Sequence, residues 1–96
     1  MTPINGMKYL ILRGGPPTRL VEVPILFPGD VDHNDVAHAV TTTFLQGYVV
    51  VGAGRVDSKT EDLKAWGGSL TIGVWSRPED APVIRKYLDS AERERR

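Results

Sequence analysis

The first apolar block along the chain is "KYLILR", Lys8 to Arg13, and the glycine–proline cluster "GGPPT" behind it ends the segment in a turn. In "RLVEVPILF", Arg19 to Phe27, the residues Val21, Val23, Ile25 and Phe27 alternate onto one face, with Glu22 and Pro24 on the other. These two segments are predicted to form an antiparallel hairpin. Pro24 has no amide hydrogen to give a ladder, which places its strand at a sheet edge or at a bulge. Further on, Val36, Val40 and Phe44 recur at helical spacing beside Ala37. "TTTF" is β-branched, so this helix is expected to end near Phe44 or Leu45, with Gly47 as the stop. "YVVVGAGRV", Tyr48 to Val56, reads as a strand in which Gly52 and Gly54 mark a bulge, a bend or a close backbone approach. "DSKTEDLKAWGG" reads as a polar connection, and "SLTIGVW", Ser69 to Trp75, as the fourth strand. Ser76 and Glu79 have capping-box spacing, but Pro82 moves the regular start of the last helix to Ala81, with the proline in its first turn.

In order the elements are ββαββα. The fold class this predicts is α+β, a four-stranded, mainly antiparallel sheet with two helices on one face. The side of the sheet carrying Val21, Val23, Ile25, Leu70, Ile72 and Val74 would meet the stripes Val36/Val40/Phe44 and Ala81/Ile84/Leu88. Residues 1–7 are expected to form a flexible N-terminus, 8–91 a single domain, and 92–96 a charged tail. If Tyr48–Val51 lies at a sheet edge, it would pair with its copy in a dimer.

Composition narrows the classes. A chain of 96 residues with 41% hydrophobic and 25% charged positions makes one folded domain. It has no cysteine, so neither a disulfide nor a thiolate–metal site supports its small core, and homodimerisation is the expected source of further buried surface. Twelve basic and twelve acidic residues cancel, which leaves no global field to draw nucleic acid or anionic lipid. "YLIL" and "YVVV" are too short to span a bilayer, and the N-terminal residues do not have the pattern of a signal peptide. The expected location is the cytoplasm, with no membrane partner.

The most chemically loaded stretch is "GDVDHNDVAHAV", Gly29 to Val40. With Asp32 as N-cap, Asp35 falls at N3, where the helix dipole favours a carboxylate, and Val31 and Val36 form a hydrophobic staple. His33 and His38 stand five residues apart, about 140° round a helix, and do not readily share one ion. Asp30, Asp32 and Asn34 open like a calcium-binding EF-hand loop, but Asp35 stands where that loop needs glycine and Thr41 where it needs glutamate. A capped helix start accounts for the segment. "GAGRVD" has Asp57 where a dinucleotide-binding turn needs its third glycine. Ser58, Ser69, Ser76 and Ser90 lie outside any nucleophile-elbow context. No catalytic, cofactor or metal residue is therefore assigned. The candidate partner-binding residues are Arg19 beside the stiffened "GGPPTR" loop, His38, Trp66, Trp75 and Arg77; for the two tryptophans, anchoring a loop or packing a second layer is the competing role.

The combination "KYLIL … PILFP … HNDVAHAV … GYVVVGAGRV … SLTIGVWSRPEDAPVIRKYL" resembles small uncharacterised proteins of bacterial phages and prophages, over Lys8 to Leu88, most distinctively in "ILFP" and "SRPEDAPVIRKYL". What the resemblance implies is a protein that binds and blocks host machinery, including defence systems; it carries no functional residues with it. Three functions follow in order. The first is a non-enzymatic protein-binding module that inhibits a host protein. The second is a small-molecule or nucleotide-binding module with its pocket between protomers near Gly52, Gly54 and "GGPPTR". The third is a small hydrolase using His33 or His38 with an aspartate.

Overall fold

The alternating and continuous apolar runs become strands β1 (Met7–Gly14), β2 (Val21–Phe27) and β3 (Val49–Lys59), followed by β4 (Asp62–Trp66). The computed structural model of the chain describes residues 6–59 and 62–94. Helix α1 (His33–Thr41) joins β2 to β3, a two-residue-per-strand ribbon of β5 (Gly68–Ser69) and β6 (Val74–Trp75) follows β4, and α2 (Asp80–Glu94) ends the described chain. The fold is α+β, with a four-stranded antiparallel sheet in the order β2-β1-β3-β4 and two helices. Pro24 does lie on an edge strand, where one side of the backbone needs no ladder partner.

The helices do not share a face of the sheet. Leu10 and Leu12 of β1 pack with Ala37 and Val40 of α1, while Tyr9 and Ile11 pack with Ile84 of α2. Successive residues of a strand point to opposite faces, so α1 and α2 cover opposite sides. All four residues of "YLIL" are fully buried because β1 is inner and covered on both sides.

The fourth strand also differs from the pattern reading. "SLTIGVW" is broken by a turn, closed by the Gly73 amide donating to the Ser69 carbonyl at 2.9 Å, with Gly73 at φ 68°. Only its ends pair, as β5 and β6, and Ile72 and Val74 pack on the α1 side of the core. The sheet is completed instead by β4, drawn from the stretch read as a polar connection; residues 60 and 61 at its tip lie outside the described residues. β3 is consequently an inner strand at Arg55 and Val56, which pair with both β1 and β4, whereas its half over residues 49–54 pairs with β1 alone and leaves its other side without a strand partner among the described residues. Met7 belongs to β1 and the Gly6 amide donates to Asp57 Oδ1 at 2.6 Å, so the fold begins before residue 8. At the other end α2 runs on to Glu94, into the segment expected to be tail.

Helix α1 stops at Thr41, a turn earlier than the spacing suggests. The hydroxyls of Thr41, Thr42 and Thr43 donate to the carbonyls of Ala37, His38 and Ala39, four residues back, at 2.7, 2.8 and 2.7 Å. That back-bonding competes with regular helix continuation. The Leu45 amide then reaches the Val40 carbonyl at 2.9 Å, and Gly47 turns the chain at φ 82°. The outcome is that Leu45 is buried and Phe44, assigned to the apolar stripe by spacing, is 71% exposed.

Candidate functional site

Asp32 occupies the N-cap position of α1 with extended backbone (φ −78°, ψ 137°), but its side chain makes no capping hydrogen bond. Val31 and Val36 both pack against the α1-side core, as a hydrophobic staple requires. His33, in the first turn, is buried against Phe27 in an edge-to-face contact with ring centroids 5.4 Å apart. Its Nε2 stands 3.0 Å from the Gly54 carbonyl oxygen, which can only accept, so the geometry assigns the proton to Nε2. Burial holds its pKa below the ordinary 6.5, with the Lys8 and Arg55 charges acting in the same direction. A ring spent on a backbone carbonyl in this way is a core residue, not a free base. His38 lies exposed in the last turn of α1. Among the described residues no three His, Asp or Glu side chains gather closely enough to hold a metal ion.

The structure builds its most organised polar cluster elsewhere, from residues on β1, β2 and the start of α2. The Asp80 carboxylate is completely buried. It accepts the Tyr9 hydroxyl at 2.7 Å, the Arg77 amide at 3.0 Å and Arg77 Nε at 2.7 Å. The reach back to the amide three residues earlier is half of a capping box, set one residue later than the Ser76/Glu79 spacing suggests. Arg77 passes its other nitrogens to Glu22, Nη2 to Oε1 at 2.8 Å, and Arg13 clamps the same carboxylate at 3.0 and 2.7 Å. The chain Tyr9–Asp80–Arg77–Glu22–Arg13 thus runs from the core to the surface.

Room for this cluster comes from β3. The β1–β3 register shifts between Ile11 and Leu12, which pair with Gly52 and Val50, leaving Val51 as the extra residue of a bulge. Gly52 consequently lies against Asp80, and a Cβ there would overlap both carboxylate oxygens. Gly54 is approached as closely by the Trp66 carbonyl. The two glycines predicted to mark a bulge or close approach do both, Gly52 lying against Asp80 beside the bulged Val51 and Gly54 against the Trp66 carbonyl.

Charge balance in the cluster is one-sided in pH. Arg77 and then Arg13 hold the Glu22 carboxyl at about 2, against an ordinary 4.5. The folded state binds that proton less readily than the unfolded chain, so this contribution is present above about pH 4.5 and is lost as pH falls toward 2. The depressed His33 works earlier: below 6.5 the unfolded chain takes the proton first, and stability falls with pH until folded His33 also charges. The expected unfolding free energy therefore declines from pH 7.5 to 5.5 by at most about 1.4 kcal/mol per pH unit, and again below pH 4.5, and the urea midpoint falls with it. His33→Gln should flatten the first decline and keep the second. A wild-type midpoint that is constant from pH 7.5 to 3 would contradict both assignments.

The five residues predicted to touch a partner do not form one site. Arg77 is mostly buried in the ion-pair cluster and is spent there. Arg19 is exposed in the β1–β2 loop, its amide bonded to the Pro16 carbonyl at 2.8 Å in a turn. His38 lies on α1, across the sheet from the Arg77 cluster. Trp66 and Trp75 do come together in the chain path: Trp75 pairs with Gly68, over which its ring lies, and the Ser76 amide donates to the Gly67 carbonyl at 2.9 Å. Trp66 is tied by Nε1 to Asp57 Oδ2 at 2.9 Å yet remains 47% exposed, and Trp75 is 54% exposed.

Sequence reasoning did not find Tyr9, Asp80 or Glu22 as a group. Glu22 facing away from the apolar alternation of β2 was visible, but its two arginine partners come from residues 9 and 55 positions away. A second feature absent from the sequence reading is an open groove of about 430 Å³ between β2 and α2, lined by Glu22, Pro24, Val83, Lys86, Tyr87 and Ser90. No protein-family profile, characterised protein or solved structure matches the chain.

Proposed function

We propose that this chain is a small non-enzymatic protein-binding module, and that its partner is a host protein, in the manner of a phage- or prophage-encoded inhibitor of host defence. The supporting observation is the pair of half-exposed tryptophans, Trp66 and Trp75, carried at adjoining points of β4 and the β5–β6 ribbon. An aromatic side chain of this size is costly to leave in water, and tryptophan is enriched among the residues that dominate binding energy. Leu70, at the tip of the same ribbon, is also exposed. Their side chains are already held, Trp66 through its indole nitrogen and Trp75 against Gly68, which lowers the ordering cost of binding.

A second copy of the chain would use the same surface in a homodimer. The hydrolase reading would rest on the exposed His38, since His33 is committed to Gly54. Among the described residues no helix is long and apolar enough to cross a membrane.

The test compares tagged wild type with the Trp66→Ala/Trp75→Ala variant in capture from bacterial lysate at high salt. The expected result is one stoichiometric protein held by the wild type and lost, at least tenfold, by a variant whose circular dichroism is unchanged. Equal capture by both, or substrate turnover by the purified chain, would overturn the proposal. Sedimentation of the pure protein separates self-association from a foreign partner.

A further inference from the structure

The groove between β2 and α2 stands apart from the tryptophan surface and has a chemistry of its own. Its α2 wall is made by Val83, Lys86, Tyr87 and Ser90, positions at helical spacing i, i+3, i+4 and i+7 that share one face. Its β2 wall is made by Glu22 and Pro24. The groove is open, and its volume of about 430 Å³ is enough to seat a small ligand along it.

The lining decides what such a ligand must be. Pro24, Val83 and the half-exposed Tyr87 ring offer an apolar body with an aromatic wall. Glu22 does not contribute a free negative charge, because Arg13 and Arg77 both clamp its carboxylate. Lys86 has no ion-pair partner among the described residues, so its ammonium is the uncompensated charge at the groove. The Ser90 hydroxyl, one turn on along the same helix face, adds a donor. Pro24 also argues against an added peptide strand: it gives the open edge of β2 no amide at the centre of the groove, where strand addition would need one.

We propose that this groove binds a small amphipathic anion, its flat apolar body against Pro24, Val83 and Tyr87 and its carboxylate or phosphate at Lys86 and Ser90. Charge complementarity with Lys86 selects the sign, and the aromatic wall selects a planar body over a bare inorganic ion.

The experiment titrates the ¹⁵N-labelled full chain with phenylacetate, with 2-phenylethanol and phenethylamine as neutral and cationic counterparts of nearly the same shape. Phenylacetate is expected to shift the amides of Val83, Lys86, Tyr87 and Ser90 saturably, in the millimolar range normal for a ligand of about ten non-hydrogen atoms. The neutral and cationic probes should bind at least fivefold more weakly. Lys86→Gln should abolish that preference and Lys86→Arg restore it, both variants keeping the wild-type spectrum elsewhere. Three results would each overturn the proposal: no saturable shift, equal binding of all three probes, or shifts confined to the indole signals of Trp66 and Trp75. Inorganic phosphate binding as tightly as phenylacetate would reject the aromatic wall as part of the site.

Discussion

Replacing Asp80 with alanine is expected to destabilise the fold by about 3–5 kcal/mol, the range for breaking a buried pair by removing one partner. Three hydrogen bonds converge on this fully buried side chain. Without the carboxylate the buried Tyr9 hydroxyl loses its acceptor, Arg77 loses the partner of Nε, and the Arg77 amide ahead of α2 loses its cap. Burial and the neighbouring Asp80 charge both push the Tyr9 phenol pKa upward, so it stays a proton donor that must be satisfied. Asp80→Asn should cost less, about 1–3 kcal/mol, since the amide oxygen still accepts while the charge facing Arg77 is gone. Urea unfolding followed by tryptophan fluorescence reads both, with an unchanged slope confirming that only stability moved. A domain of this size has about 5–15 kcal/mol in all, so Asp80→Ala should remove a large fraction of its stability. An alanine variant within 1 kcal/mol of wild type would mean that α2 is held by apolar packing around Ile84 alone.

The second large effect is expected at Gly52. Adding one methyl group there forces Asp80 out of its seat, an overpacking cost of about 1–3 kcal/mol before any loss of the hydrogen bonds behind it. The two sites are physically coupled, which makes a sharper test than either alone. In the Gly52→Ala/Asp80→Ala double variant the new methyl group has no carboxylate to strike. Its total cost should fall short of the sum of the singles by about 1 kcal/mol or more. Strict additivity would show that the bulge at Val51 needs glycine for its backbone, not for the side chain across from it.

Much of the secondary structure was legible because local rules decide it. Alternation placed β2, Pro24 placed it at an edge, the Val31/Val36 spacing placed the entry to α1, and Pro82 limited where α2 could begin. Three errors have particular causes. The Thr41–Thr43 hydroxyls shorten α1 and swap the roles of Phe44 and Leu45, which helical spacing treats the other way. "SLTIGVW" has the alternation of a strand, yet Gly73 in the left-handed region turns it into a two-sided ribbon. "DLKAW" was read as connection for its charge, although an edge strand keeps one polar row in water.

The chain by itself determined the α+β class, the antiparallel hairpin, the two helices and the need for small residues at positions 52 and 54. It also held a signal for the layering: "YLIL" is apolar at every position, the mark of a strand covered on both faces, whereas β2 alternates. Tertiary structure alone decided which partners meet. Arg77 and Asp80 are three residues apart, but Glu22 and Tyr9 reach them from 55 and 71 residues away with no spacing that links them. Their encounter depends on α2 crossing the face of β1 and β2 opposite α1, and on one bulged residue that turns Gly52 toward Asp80. Hydrophobic patterning is read along the chain because it acts through local geometry; a buried ion-pair network is set by the docking of whole elements, which local geometry does not encode.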